Sequence, residues 1–479
     1  MILRNTSLTY FTAMTLFSRV AGFCPSHLST RLASQPLGPQ MTQLRGLAAV
    51  PADTFSVAPM MDYTDRHLRF LLRLLSKRAT LYTEMVVSNT LVHNDELDRW
   101  LAFNPEEHPL VLQLGGNSPS ALRVAVEKAV PYGYREFNLN CGCPSDKVSG
   151  KGCFGAALMK DPAHVADLAA AMAVALPPSP PPQAPPLLSA SPPSSSFSSS
   201  SSSAQAASTL PPLLSRPPPD TAESPMEVTV KCRVGVVSRE DMAAQLDTDE
   251  EADFERLARF VDTVSTKGGV NHFQVHARKA VLGGLSPDAN RKIPPLKPQF
   301  VHRLSREFPH LRFTLNGGLE TISQCKQHLE GQDQGQAQGP GGGVHGVMLG
   351  RAVVARPWHL MSQVDEHLYG EAYRPLLTRR WVLERYGAYG EAELAVARVE
   401  QPHYVRKLRR AVLRHAANLF AGEPKGAKFR QVIDNELQAD NIDPMCPMGC
   451  ALILERASAV LNPETLDAPP PPLETLPAP

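Results

Sequence analysis

Acidic residues are missing from the first 52 positions; the first is Asp53. Over that span Arg4, Arg19, Arg31 and Arg45 stand among many Ser and Thr, the composition of a mitochondrial or plastid transit peptide. The segment lacks the compact apolar core of a secretory signal. Residues 1–52 are therefore read as an organelle-import extension, with a disordered extension on a cytoplasmic protein as the alternative. Cysteine is scarce, eight in 479 residues, which excludes a disulfide scaffold and fits a reduced, intracellular protein. Cys446 and Cys450 are spaced CxxxC with no second cluster nearby, so no metal site is expected. No apolar run approaches the roughly 18 residues of a membrane span. A net charge of +1 excludes a global field for nucleic acid, leaving only a local patch for that role. The GxGxxG nicotinamide fingerprint is absent after the first strand-like run. Charge is also absent from 168 to 215, and 176–225 is mostly Pro, Ser and Ala. Such a stretch holds too few large apolar side chains to offset the entropy of ordering, so it reads as a disordered insertion. The Gly/Gln-rich run 331–343 reads as a second one.

What is present centres on EFNLNCGCPSDKVSGKGCFGAALM, Glu136 to Met159. Phe137, Leu139 and Cys141 alternate with Glu136, Asn138 and Asn140, the period of a strand. The run breaks at Gly142-Cys143-Pro144, which places Cys143 just past a strand end, three residues after Asn140. A lone cysteine is usually a small buried hydrophobe. Its surroundings favour chemistry here.

Eight short apolar or alternating runs begin at Phe55, Leu81, Leu110, Glu136, Glu227, His272, Arg312 and Gly346, with helical stretches between them. Pro119, Pro162 and Pro298 fall at or near helix starts, where a missing N–H costs nothing. Strict alternation of this kind predicts an α/β fold, a (β/α)8 TIM barrel over 53–365, with an open doubly wound sheet as the weaker option. A helical domain over 366–462 and a Pro-rich tail, 463–479, follow it. Barrel active sites lie at the C-terminal ends of the strands. Those ends carry Pro59 and Met60, Glu84, Gln113, Asn140 and Cys143, Lys231 and Arg233, His276 and Arg278, Asn316 with Gly317 and Gly318, and Gly350 with Arg351.

NGG and LGR on the last two strands could hold a phosphate, since glycines allow close approach of backbone N–H groups beside an arginine. Gln113, Lys231 and His276 could then meet a planar ring across the mouth. Gln offers a donor and an acceptor to an imide edge, and Lys would stabilise the negative charge of a reduced flavin. The set suits FMN better than a nicotinamide. A thiol, with an ordinary pKa near ~8.5, is mostly protonated at neutral pH and can act as a general acid. Beyond the barrel, 406–430 holds eight Lys or Arg and one acid, Glu423. Arg406, Arg410 and Arg414 recur every four residues while Leu408, Val412 and Leu419 face elsewhere, a pattern suited to a phosphate backbone.

APMMDYTDRHLRFLLRLLS, LVLQLGGNSP, NLNCGCPSDKV, VTVKCRVG, VHARKAVLGGLSPDANRKIPPL, FPHLRFTLNGGL and GVMLGR together resemble tRNA-dihydrouridine synthases of the bacterial A type. The similarity runs from about Phe55 to Trp358 apart from the two insertions, and more weakly through RHAANLFAGEPKGAKFR. The resemblance implies an NAD(P)H-dependent oxidoreductase reducing a D-loop uridine of tRNA, at position 20/20a, to 5,6-dihydrouridine. FMN would be the cofactor and NADPH the reductant. Hydride would reach C6 of the uracil and Cys143 would protonate C5, with Asn140 holding the base. Flavin contacts would fall on Ala58, Pro59, Met60, Gln113, Lys231 and His276, and phosphate contacts on Asn316, Gly317, Gly318, Gly350 and Arg351. Arg278, Lys279, Arg414, Lys428 and Arg430 would lie towards tRNA. One departure is Cys141, where the family usually has Val; its strand position reads as packing. The alternatives are an FMN-dependent barrel oxidoreductase acting on a small pyrimidine-like molecule, and an idle tRNA-binding protein. Oligomeric state stays open, and a monomer is compatible with everything above.

Overall fold

The computed structural model describes residues 50–178, 225–240, 249–331 and 343–473, except 151, 284, 373, 440–447 and the side chain of 147. Residues 1–49 of the expected import extension (1–52), nearly all of both insertions, Cys446 and the end of the tail lie outside the described residues.

Eleven strands are described: β1 Phe55–Val57, β2 Thr80–Tyr82, β3 Val86–Val87, β4 Leu110–Gly115, β5 Glu136–Cys141, β6 Glu227–Arg233, β7 Val236–Ser238, β8 His272–His276, β9 Ala280–Leu282, β10 Arg312–Asn316 and β11 Gly346–Leu349. Hydrogen bonding runs β2-β1-β11-β10-β8-β6-β5-β4, all parallel, and a β2–β4 pairing closes the ring. This is the eight-stranded barrel read from the alternation. The reading of Leu81 to Val86 as one strand is corrected: β2 ends at Tyr82, and the separate two-residue β3 pairs with the end of β4. Sequence reasoning also missed the parallel β7–β9 pair in the loops after β6 and β8.

Helices form where the spacing placed them because their ends are specified. Asp65 accepts from the first N–H groups of the Arg66–Leu75 helix, and Ser118 and Asp161 cap helices that open on Pro119 and Pro162. Thr321 and Gln324 form a capping box before Ile322–Glu330. Strand residues facing the helices, such as Phe137, Leu139, Cys141, Val230, Phe273 and Phe313, are fully or almost fully buried. Each large one contributes roughly 1.5–3 kcal/mol by leaving water.

Many residues pointing the other way are polar, among them the buried Asn138, Thr229, Gln274 and Thr314, and together with a cluster of Ala58, Tyr82, Val111 and Met348 they fill the barrel interior. At its N-terminal end Arg312 binds Asp53 at 2.6 Å and pairs with Glu227. Burial, with the Glu227 charge adding, pushes the Glu136 carboxyl there up to about 8.

The barrel unit extends from Ala52 to Arg374 and includes the helix Pro357–Tyr369; the helical unit runs from Pro375 to Pro469. Both borders differ from the expected 365/366 and 462/463. The tail reading fails because Pro463–Asp467 is a short helix with Leu466 buried, and Arg380 grips Asp467 at 2.6 and 2.9 Å. Within the helical unit, Leu408, Val412 and Leu419 are buried, while Arg406, Arg410 and Arg414 share the exposed face of Val405–Ala416. Lys428 and Arg430 are exposed on Gly426–Ala439. Arg409 departs from this pattern: it is buried and donates to the Met448 carbonyl at 2.6 Å.

Candidate active site

Strand register sets the mouth of the barrel. Asn140 pairs with Lys231, Arg233 with His276, and His276 with Asn316 across consecutive strands. Their side chains are thereby delivered to one end of the ring, the C-terminal one.

Cys143 is a free, partly exposed thiol in the turn that leaves β5. Its backbone N–H and that of Gly142 both donate to the Asn140 side-chain oxygen, at 3.0 and 3.1 Å. The Cys143 carbonyl accepts from the Ser149 hydroxyl at 2.7 Å and the Ala156 N–H at 2.9 Å. Gly155 must be glycine for this closure: its φ is +67°, and a Cβ there would lie 2.6 Å from the Cys143 carbonyl oxygen. Cys141, one position before the turn, is fully buried beside Cys232, and burial raises both thiols' pKa values.

Lys231 reaches the Asn316 side-chain oxygen at 2.9 Å, and Asn316 donates in turn to the Met348 carbonyl at 2.8 Å. Burial, and then the Arg233 charge, depresses the Lys231 pKa from 10.5 to about 8. Arg233 is itself buried and donates to the carbonyls of Gly142 at 3.2 Å, Asn290 at 3.2 Å and Lys279 at 3.4 Å. Among the described residues no carboxylate pairs with either cation. Cys143 is close enough to interact electrostatically with Lys231, Arg233 and Arg291. Burial and the neighbouring Arg233 and Lys231 hold the His276 pKa well below 6.5, so its imidazole is neutral at pH 7.

Gly317 and Gly318 follow β10 with φ of +102° and +77°, and a Cβ on Gly317 would overlap the His276 ring. Ala58 hydrogen-bonds through its N–H to Leu349 at 2.7 Å, which lays Pro59 and Met60 along the rim beside Gly350. Arg351 is exposed, 3.2 Å from Asp288. The sequence-predicted barrel residues thus come together at one end. Gln113 also points inward, but its amide is engaged by Asn140 at 2.8 Å and Asn138 at 2.7 Å. Only its second N–H and second lone pair remain to be offered to a ring edge.

Lys279 requires a correction. It does not face outward but is buried, with its ammonium 2.5 Å from Asp253, whose carboxylate also pairs with Arg256 and lies 3.6 Å from Lys297. Lys279 directly precedes β9, whose first residue Ala280 is in register with Val236 of β7. Arg278 stays at the rim, donating to the Pro294 carbonyl. Sequence reasoning gave Arg233 no specific role, although a positive residue alternating with Lys231 on the same strand was a visible signal.

A parallel barrel gathering a thiol, a capped turn and uncompensated cations at the C-terminal ends of its strands has the make-up of a barrel enzyme handling an anionic ligand. A family model described as dihydrouridine synthase matches residues 56–181 and 222–450, breaking across the Pro/Ser-rich insertion. Relatives named tRNA-dihydrouridine(20/20a) synthase include one from Xanthomonas campestris pv. campestris, 38% identical over 79% of this chain and 87% of its own length. One from Vibrio vulnificus is 35% identical over 79% and 90%, and one from Escherichia coli K12 is 33% identical over 84% and 94%. The chain belongs to the dihydrouridine synthase family, and is an oxidoreductase.

Proposed function

We propose that this protein reduces uridine at position 20 or 20a of tRNA to 5,6-dihydrouridine, with Cys143 as the proton donor. The observation that carries the reading is the free Cys143 thiol, fixed by Asn140 beside a mouth whose buried cations lack carboxylate partners among the described residues. Such cations are costly without an anion, so the donor set fits a flavin phosphate and an electron-rich ring. Lys231, His276, Gln113 and the Ala58–Met60 backbone would hold the ring of FMN, and Asn316, Gly317, Gly318, Gly350 and Arg351 its phosphate. Bound FMN, re-reduced by NADPH, would supply the hydride for C6 of the uracil. Asn140 orients the turn and its remaining amide edge can meet the base. Cys143 holds a proton at Sγ for delivery to C5.

A uridine must leave its stack to enter a recessed mouth, which requires a grip on the rest of the RNA. The exposed Arg406, Arg410, Arg414, Lys428 and Arg430 supply a positive face for phosphates, and Arg278 a further cation at the barrel rim. Residues 1–52 would direct the protein to a mitochondrion or plastid; fused to a fluorescent protein they should relocate it there, and cytosolic fluorescence would overturn that assignment. The activity is tested by supplying NADPH and FMN with unmodified tRNA or with free uridine. Dihydrouridine should form in tRNA alone; equal reduction of free uridine would favour the small-pyrimidine reading.

A further inference from the structure

The inward faces of β4, β5, β6 and β8 carry a line of buried side chains of which the chemistry above uses only Gln113 and Asn140. Gly142 and Cys143 donate their N–H groups to Asn140 Oδ1, and Asn140 Nδ2 donates to Gln113 Oε1 at 2.8 Å. Gln113 Nε2 donates to Asn138 Oδ1 at 2.7 Å, and Asn138 Nδ2 donates to Thr229 Oγ1 at 2.9 Å and Gln274 Oε1 at 2.7 Å. Thr229 Oγ1 ends the line by donating to Glu136 Oε1 at 2.7 Å. Every bond runs in the same direction, from the turn that holds the thiol towards the opposite end of the barrel.

That direction is determined from the turn. Backbone N–H groups can only donate, so Asn140 must present its oxygen to the turn and its NH2 to Gln113. Gln113 therefore turns its NH2 to Asn138, which must present its oxygen to Gln113 and its NH2 to Thr229 and Gln274. Asn138 is fully buried and Gln113 nearly so, which leaves neither amide a solvent-facing alternative. Were Gln113 to turn over, its NH2 would oppose that of Asn140. Asn140 would then have to turn as well, bringing its NH2 against the two N–H donors of the turn. Buried chains of this kind polarise one another and tolerate no single reversed member.

We infer that Asn138 is a positioning residue for the Cys143 turn: by presenting its oxygen to Gln113, it sets the orientation of the Asn140 amide that fixes the Gly142–Cys143 backbone. The inference rests on the reading of Cys143 as proton donor only for its kinetic consequence; its structural content stands independently. Among the described residues the Asn138 side chain makes no hydrogen bond to the turn itself, so its influence passes through Gln113 and Asn140.

The test compares Asn138→Leu, close in shape but without polar atoms, Asn138→Ala, and Asn138→Asp in the flavin-loaded protein. Aspartate keeps the oxygen that Gln113 needs. The Thr229 hydroxyl and Gln274 Nε2, a buried donor with no hydrogen-bond partner, can turn towards the new oxygen. Hydrogen-exchange mass spectrometry should show faster exchange over 142–143 in the leucine and alanine variants, with β4 and β6 unchanged. Dihydrouridine formation should lose about tenfold in kcat, equivalent to ~1.4 kcal/mol, at an unaltered KM for tRNA. Asn138→Asp should recover most of both. If one of the apolar variants does not fold, the other carries the same comparison. Unchanged exchange at 142–143 in the apolar variants, or an aspartate variant as impaired as the leucine one, would overturn the inference. A wild type that forms no dihydrouridine would refute the proposed function while the exchange measurement still decides this point.

Discussion

Lys231 offers a test in which stability and binding should move in opposite directions. Its ammonium faces Asn316 with Arg233 close by, and its pKa falls from 10.5 to about 8, chiefly through burial. One pKa unit is about 1.4 kcal/mol, so the cation costs the ligand-free fold roughly 3 kcal/mol, reduced to about 2 kcal/mol because part of the side chain meets solvent. Between pH 8 and 10.5 the unfolded chain keeps a proton that the folded protein has released, so stability contributed by this group rises across that window. Lys231→Met removes the effect. In urea unfolding of flavin-free protein, the wild type should therefore gain about 2 kcal/mol on the variant as pH is raised through that window. At pH 7 the variant should equal or exceed the wild type, since an apolar chain of similar length replaces an uncompensated buried charge. FMN affinity should meanwhile drop by about 30- to 100-fold, the worth of a charge-assisted hydrogen bond of ~2–3 kcal/mol. A variant less stable at pH 7 with an unchanged pH slope would show that the cation serves the fold, and would refute the reasoning.

Reversing the charge at Arg410 and Arg414, both on the exposed face of their helix, should weaken tRNA binding and flatten its dependence on salt by about 2 in log–log slope, with NADPH oxidation unaffected; filter binding across a salt series reads both. Gly317→Ala places a side chain at φ +102° against the His276 ring, so it should destabilise the barrel by about 1–3 kcal/mol and lower FMN affinity, measured by thermal unfolding and flavin fluorescence.

The barrel was legible because its strands are buried on both faces and bounded by Gly, Pro or polar residues, and because its helices start at Asp65, Ser118, Asp161 and Thr321. Gathering of the strand-end residues followed from the parallel arrangement. The β7–β9 pair was not legible, since three-residue strands in separate loops are specified by tertiary approach and carry no periodicity of their own. Lys279 looked like one more cation in HARKA; only the fold shows Asp253 waiting beneath it. The polar period of Glu136, Asn138 and Asn140 was visible, but their partners Gln113, Thr229 and Gln274 lie on three other strands and emerge from register alone. The helix Pro463–Asp467 was hidden by the proline content around it.

Removal of the thiol alone puts the chemistry to the most direct trial. Cys143→Ala protein should stay yellow with bound flavin and still oxidise NADPH, yet form dihydrouridine at positions 20 and 20a of unmodified tRNA at least about a hundredfold more slowly, the scale of a lost general acid. Dihydrouridine appearing in that variant at close to the wild-type rate would mean the proton comes from elsewhere.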